Sequence, residues 1–366
     1  MKNVNVFVDP ATRINYTAYY LVGLYDYFGR KNVSFKRSPF SQLFQNREKN
    51  DNGEYFNYTA FVVESAGKST KYIIDFRDSP EVYEHAYRWC DTYAKINVNL
   101  DYLSGRKDIS KLLSIGPGFS IRIWGKWKTY WHCLQNLRRL NFQPGIYWKT
   151  FVRTYENQME KSYLNQFVNP PRPVSPKRKP YIFTIATLWE HANCQLGTNH
   201  LRKQFMTICK NSPLCSFEGG FFFYKKFKGV KDFKELKIKK FVSHPEFLQK
   251  THESALVFNT PSVFNCHGWK LGEFLAMGKA MISSPIINEL PEPLQHGENI
   301  HLIEDESEME DAVNYLLTNE AYRKKLEKGA KKYYNDHLAP IRVISNIIGK
   351  AHPIKDPAPV RKTVTK

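Results

Sequence analysis

Gly268, Lys270 and Glu273 stand in the run C-H-G-W-K-L-G-E, and no other stretch of the chain puts so much usable chemistry into so few residues. Leu271, Phe274, Leu275 and Met277 follow at helical spacing until Gly278 supplies a stop, so Gly268 falls where the chain turns into a helix. The first amides of a helix lack partners within it, and the helix dipole is positive at that end. A phosphate is therefore expected there, with His267 and Lys270 adding donors or positive charge. Glu273 lies one turn further in, where a carboxylate accepts two hydrogen bonds from a vicinal diol such as that of a ribose. A second basic group, His200, Arg202 and Lys203, occupies the first turn of a helix predicted to start near Asn199. The dipole opposes positive charge in that place unless an anion sits between the side chains. Asp75 and Asp78, in D-F-R-D, follow directly on an apolar strand and emerge at its end, where a carboxylate can take a proton as a general base.

These residues need a frame. Residues 255–259 (A-L-V-F-N) read as a buried parallel strand leading into the Gly268 turn, and 280–283 as the next strand, broken by Pro285 and followed by a loop rich in Pro, Gly and Asn that contains Glu289. Upstream, 181–186, 217–224 and 240–242 are predicted strands, and 245–250 a helix. In the N-terminal half the predicted strands are 4–8, 33–35, 59–64, 72–76, 95–98 and 112–115, with helices over 16–28 and 81–91. Strands alternating with helices mean an α/β layer, and such sheets bind ligands at the carboxyl ends of their strands. Two further loops, Arg13-Ile14-Asn15-Tyr16 and Gly116-Pro117-Gly118-Phe119, follow strands and are expected to face a cleft. Between 124 and 168 the pattern turns basic, aromatic and helical, a region suited to partner contacts, and 169–180 (N-P-P-R-P-V-S-P-K-R-K-P) has the composition of a linker.

With 366 residues, 42% hydrophobic and 15% aromatic, the chain has material for two domain cores. The expected division is 1–170, a linker at 171–180, 181–334, a helix over 335–350 and a tail at 351–366. The N-terminus reads directly into a strand and no run reaches the length of a membrane span, so a cytoplasmic location is expected. The six cysteines form no C-x-x-C pair or regular framework, which suits a reducing compartment and gives no structural zinc site. No D-x-D metal motif is present; Glu304-Asp305-Glu306 reads as a solvated helix start. His244 and His301 read as structural. The formal net charge of +19 calls for a polyanionic partner or surface.

On the residues G-E-F-L-A-M-G-K-A-M-I-S-S-P and the loop and helices after them, the C-terminal half resembles the donor-binding domain of GT-B glycosyltransferases, the family 1/4-like group that builds bacterial surface glycans. The run W-K-L-G-E also resembles exostosin-like and fucosyltransferase-like enzymes. The resemblance implies an α/β fold of two Rossmann-like domains facing across a cleft, the C-terminal one holding a nucleotide sugar and the N-terminal one a glycan or lipid-linked acceptor. It implies a helix over 335–350 that crosses back to the first domain, and Glu273 as ribose ligand. Retaining members carry a second glutamate eight positions earlier; here 273 − 8 = 265 is Asn265, which leaves retention or inversion open. By the same resemblance a basic residue near Arg202 and another just before Glu273 reach the donor diphosphate. The donor is then a substrate, and no tightly bound cofactor or metal is called for. The expected setting is surface polysaccharide or lipopolysaccharide synthesis, peripheral on the anionic inner face of the plasma membrane.

A non-enzymatic nucleic-acid or polyanion-binding protein is the competing class, suggested by the charge. It has no recognisable module here and leaves the Gly-Lys-Glu turn unexplained, so no nucleic acid is expected. A phosphorylase or epimerase acting on sugar nucleotides would keep the same donor domain.

Overall fold

A computed structural model describes residues 4–45, 58–141, 148–169, 179–223 and 230–350. All but the last two residues of the expected linker at 171–180, and the expected tail at 351–366, lie outside the described residues.

The N-terminal half is built on six strands, β1 (Val4–Val8), β2 (Val33–Phe35), β3 (Tyr58–Ser65), β4 (Lys68–Asp75), β5 (Thr92–Lys95) and β6 (Leu112–Ser114), in the order β2-β1-β3-β4-β5-β6. In β1 the alternation V-N-V-F-V buries Val4, Val6 and Val8 on one face, the period-two signature of a strand. The sheet is parallel except at β3, which runs antiparallel to both β1 and β4. This hairpin was hidden in the sequence. Its turn, Ala66-Gly67, has positive φ at both residues, 51° and 75°, as a tight two-residue hairpin turn demands; an alanine there is a weak signal. The strand expected over 95–98 ends at Lys95, so Asn97 stands in the loop beyond it. The longer helices of this half are α1 (Ile14–Phe28), α2 (Lys126–Arg139) and α3 (Trp148–Met159); the helix expected over 81–91 is shorter, Glu84–Trp89.

The C-terminal half runs β7 (Tyr181–Thr187), α4 (Asn199–Asn211), β8 (Ser216–Phe222), α5 (His244–Glu253), β9 (Val257–Asn259), α6 (Trp269–Met277), β10 (Met281–Ser283), β11 (His301–Leu302), α7 (Met309–Thr318), α8 (Glu320–Tyr333) and α9 (Pro340–Gly349). Every strand pairing in it is parallel. The Ala255 amide donates to the Tyr181 carbonyl at 2.6 Å and thereby sets β7 beside β9. A parallel bridge from Lys237 to Phe221 adds one more edge. Read across, the order is Lys237, β8, β7, β9, β10, β11, which is the 3-2-1-4-5-6 order of a dinucleotide-binding sheet. Residues 240–242, expected as a strand, are irregular chain instead, with Phe241 77% exposed. The following helix claims this segment: Ser243 accepts from the Glu246 amide as its cap, and Pro245 fits the first turn.

Two glycines let the halves press closely together. A Cβ on Gly272 would lie 2.6 Å from the Pro117 carbonyl oxygen, so only glycine lets α6 approach the loop after β6 this closely. Likewise a Cβ on Gly23 would lie 2.3 Å from the Pro340 carbonyl oxygen, where α9 packs along α1. The Tyr19 hydroxyl donates to the Leu338 carbonyl at 2.6 Å beside that contact. The last helix starts at Pro340 rather than 335, after a wide turn over Tyr334–Leu338, because a proline has no amide to give and suits the first helical position.

Candidate active site

Between the halves lies a cavity of about 440 Å3. On the C-terminal side its wall is formed by Thr184, Ala186 and Thr187 at the end of β7 and by Asn259, Thr260 and Ser262 at the end of β9. β7 and β9 are the pair at which the strand order reverses, so the loops leaving them diverge and open a crevice at the carboxyl ends. On the N-terminal side Tyr16, Phe76, Asp78, Asn97, Ser120 and Lys161 complete the wall. Three rings span the gap: Phe76 stacks on Tyr16 at 5.2 Å, and Tyr16 meets Trp269 edge-on at 5.0 Å.

The start of α6 opens into this cavity. Gly268 is its N-cap and supplies no side-chain cap, and a Cβ placed there would meet nothing within 4 Å. The turn before it is held in an uncommon shape. Phe264 and Asn265 both take left-handed backbone conformations, φ 54° and 57°, which costs about 1–2 kcal/mol for a residue such as Phe. Two asparagines pin it: Asn193 Nδ2 donates to the Ser262 carbonyl at 2.7 Å and to Asn265 Oδ1 at 3.1 Å, and Asn288 Nδ2 donates to the Asn265 carbonyl at 3.1 Å. The His267 amide donates to Asn97 Oδ1 at 2.8 Å, which ties the turn to the other half.

The cavity wall carries the Lys and Arg side chains Lys161, Arg202 and Lys270, the imidazoles of His244 and His267, and the carboxylates of Asp78 and Glu273. Burial, and then repulsion from Arg202, push the Lys270 ammonium down to about 8, with Glu273 offsetting part of this. Burial pushes Arg202 down to about 10. Burial raises Glu273 to about 7 against the pull of Lys270 and then Lys161. Two buried cations, one of them disfavoured by the other, set beside an uncapped helix start, are an arrangement that can hold an anion. Lys270 Nζ also donates to the Ile185 carbonyl at the end of β7.

Residues 217–344 match a family model described as glycosyl transferase-like. They form a glycosyl transferase-like domain. The match contains Gly268, Lys270 and Glu273 and ends within α9. At the sequence level the chain matches no curated protein. Among solved structures it is similar to Anabaena Alr3699/HepE in complex with UDP-glucose, at 12% identity over 76% of this chain and 71% of that one, TM-score 0.46. It is also similar to the C-terminal domain of LpcC, a glycosyl transferase group 1 family protein from Francisella tularensis, at 14% identity over 47% of this chain and 95% of that one, TM-score 0.35.

Around the cavity the structure gathers Gly268, Lys270, Glu273, His267, Arg202 and Asp78. Others of the expected residues stand elsewhere. Lys203, one position along the helix from Arg202, turns its ammonium to 5.7 Å over the Phe233 ring and is not on the wall. Asn265 is also off the wall, its side chain held by Asn193. His267 lines the cavity but supplies no charge: burial drives it down to about 4, and its Nε2 donates to the Glu289 carbonyl at 3.2 Å. Glu289 therefore serves the site through its backbone. His301 pairs with the Tyr322 hydroxyl at 2.9 Å. His244, expected as structural, lines the wall and is driven to about 4 by burial and then by Lys161. Lys161, Asn97 and Ser120 went unrecognised in the sequence. Among the described residues no group of three or more His, Cys, Asp or Glu side chains could hold a metal ion.

The two candidate carboxylates of the N-terminal half part company. Asp75 is fully buried: Oδ2 accepts from Lys95 Nζ at 3.0 Å, Tyr93 hydroxyl at 2.8 Å and Arg77 Nη2 at 3.0 Å, while Oδ1 accepts from the Arg77 amide at 3.0 Å. Burial opposes its ionisation, but Lys95, Arg77 and the hydrogen bonds win and hold it down at about 2. A carboxylate so committed cannot serve as a base. Its network instead fixes the loop that carries Asp78, since Lys95 Nζ also donates to the Ser79 carbonyl at 2.8 Å and Asn97 Nδ2 to that of Arg77 at 2.8 Å. Asp78 faces the cavity, raised above the usual carboxylate range by burial, with a hydrogen bond from the Cys266 thiol and the charge of Lys95 opposing.

Replacing Asp75 by Asn leaves Lys95 and Arg77 buried without their anion. Denaturant unfolding is expected to show a loss of about 3–5 kcal/mol. In the wild type the Asp75 contribution, present above the usual aspartate range, is lost as pH falls through about 2; in Asp75→Asn that acid-limb step disappears.

Proposed function

We propose that the protein transfers a sugar from a nucleotide-sugar donor to a glycan or lipid-linked acceptor. The observation that carries this reading is the uncapped start of α6, with Lys270 and Arg202 beside it and Glu273 one turn inward, in a cavity at the reversal point of a dinucleotide-binding sheet. The diphosphate lies against the α6 amides, Lys270 and Arg202, and the ribose diol donates to Glu273. The sugar is then presented toward Asp78 and the acceptor enters from the side of Tyr16 and Lys161. The acceptor oxygen attacks the anomeric carbon, its proton passes to Asp78, and the bond from that carbon to the diphosphate oxygen breaks. Negative charge grows on the departing diphosphate where the cations and helix start already point, which is the arrangement that stabilises a transition state more than a ground state. A base whose pKa burial has raised is better matched to the task than an ordinary aspartate. Asn265 has its side chain engaged by Asn193 and stands off the wall, so we read the transfer as one displacement with inversion. The proposal places the reaction in the cytoplasm, where six buried free thiols stay reduced, within surface polysaccharide or lipopolysaccharide synthesis.

A panel of nucleotide sugars and nucleoside diphosphates is expected to raise the melting temperature, and Glu273→Ala to weaken that binding about ten- to a hundredfold while the fold persists. Stabilisation by single-stranded RNA in low salt but by no nucleotide would overturn the reading in favour of a polyanion-binding protein.

Asp78→Asn is expected to keep donor binding and to lose transfer by about 10²–10⁴, with the wild-type product inverted at the anomeric carbon by NMR. A retained anomer, or an undiminished rate in Asp78→Asn, contradicts the assigned base.

Because Lys270 is depressed to about 8 in the empty site, binding an anion beside it must draw a proton onto it when the pH is near or above that value. Calorimetry of nucleoside diphosphate binding in buffers of different ionisation enthalpy should show proton uptake at alkaline pH and weaker affinity as pH rises through about 8. Lys270→Met should abolish the uptake.

A further inference from the structure

Helix α2 leaves a stripe of large apolar side chains in solvent. Its inward face carries Thr129, Cys133 and Asn136, all buried. Two of these are satisfied by hydrogen bonds to α3, from Gln158 Nε2 to Thr129 Oγ1 at 2.9 Å and from Asn136 Nδ2 to the Tyr155 hydroxyl at 2.9 Å. Its outward face carries Trp127, Tyr130, Trp131 and Leu134, at the i, i+3, i+4, i+7 spacing of a single stripe, 84%, 39%, 59% and 43% exposed. The inward side also packs Cys133, Leu137 and Leu140 into the apolar cluster and stacks His132 on Trp124 at 4.2 Å, so the helix is anchored, and the four large side chains of the opposite stripe are left in solvent. Trp148, 59% exposed at the start of α3, adds another. Exposed apolar side chains grouped in this way mark a surface that is covered in use.

We infer that this face of α2 docks the protein onto an anionic lipid bilayer, lying along the interface with Trp127, Tyr130, Trp131 and Leu134 set at the boundary between headgroups and acyl chains. Charge selects this occupant. Lys126, Lys128, Arg138 and Arg139 stand on the same helix, which contains no Asp or Glu, and Lys149 and Arg153 are exposed on α3. Two copies of this face brought together would set these cations against one another, whereas anionic headgroups neutralise them. Trp and Tyr have apolar bodies with a polar N–H or O–H, the combination that favours the interface over either water or the acyl interior. Single-stranded nucleic acid also pairs with basic and aromatic residues, but it needs a groove that tracks the strand, and a convex helix with Leu134 in its stripe offers none. Among the described residues no helix is long and apolar enough to cross a membrane, so α2 lies on the bilayer rather than in it as a span. The α2–α3 pair leads straight into Lys161 on the cavity wall. A lipid-linked acceptor in that membrane would meet the N-terminal side of the proposed active site.

The test is co-sedimentation of the full chain with vesicles of phosphatidylcholine alone and of phosphatidylcholine containing about one-third phosphatidylglycerol. Binding to the anionic vesicles alone is expected, weakened by salt and accompanied by a blue shift of tryptophan emission. Trp127→Ala/Trp131→Ala is expected to lower the partition roughly tenfold or more, while nucleotide-induced stabilisation stays unchanged because the face is separate from the donor cavity. Should the double variant melt early, Trp127→Gln, at the most solvent-exposed of the four positions, reads the same difference. Absent binding to anionic vesicles, or equal binding by the variants, overturns the inference. So does a wild-type dimer in sedimentation velocity that the variants convert to monomer, or single-stranded RNA that displaces the vesicles. Each of these results leaves the donor reading standing or falling on its own measurement.

Discussion

The site is organised around positive charge that the protein does not itself neutralise. Lys270 and Arg202 sit half-buried at the wall of one cavity, where Arg202 disfavours the Lys270 charge and Glu273 is too buried to offer a full countercharge. A folded chain bears such a cost where an external anion relieves it. The α6 start adds its unpaired amides to the same point, and Gly268 keeps a side chain from filling it. Much of the surrounding structure serves to hold these groups in place. The left-handed turn at Phe264 and Asn265 aims α6, two asparagines brace that turn, and Asn97 links it to the opposite half.

Close packing joins the two halves beside the cavity. Gly272 lets α6 lie against Pro117, and Gly23 lets α9 lie against α1, so that one apolar cluster includes Ile14 and Phe119 from one half and Phe274, Leu275 and Ile344 from the other. The Asp75–Arg77–Lys95–Tyr93 network does for the acceptor side what the asparagines do for the donor side. It is an internal ion cluster with its partners satisfied, and its output is the position of Asp78. A carboxylate held this firmly beside its neighbour illustrates how two aspartates three residues apart acquire opposite properties, one held at about 2 and the other raised.

What could be read from the sequence was local. Gly268, Lys270 and Glu273 share one helix start, so periodicity and a glycine were enough to place them together, and the strand before and after them followed from short apolar runs. Arg202 and Lys203 show the limit: both were legible as a basic helix start, yet helical phase sends one to the cavity and the other to Phe233. Asp75 and Asp78 were legible as a pair at a strand end, while Lys95 and Tyr93, the partners that decide between them, come from a neighbouring strand that no local pattern connects to them. Lys161 reaches Glu273 only through the packing of α3 against the rest of its half. The β3–β4 hairpin escaped because its turn uses alanine where Asn or Gly is the usual sign. The outward Trp127 and Trp131 were visible as an aromatic-basic run, but that they stay in solvent while Cys133 and Leu137 take the inward side appears only once α2 is packed.

A crystal structure of the protein with a nucleoside diphosphate sugar tests the central claim most directly. The account predicts the diphosphate oxygens within hydrogen-bonding distance of the α6 amides at Gly268–Lys270, with Lys270 Nζ and an Arg202 guanidinium nitrogen on the same oxygens and both ribose hydroxyls on Glu273. A nucleotide bound elsewhere, or one in this cavity with its phosphates turned away from α6 and Glu273 facing no hydroxyl, would contradict it.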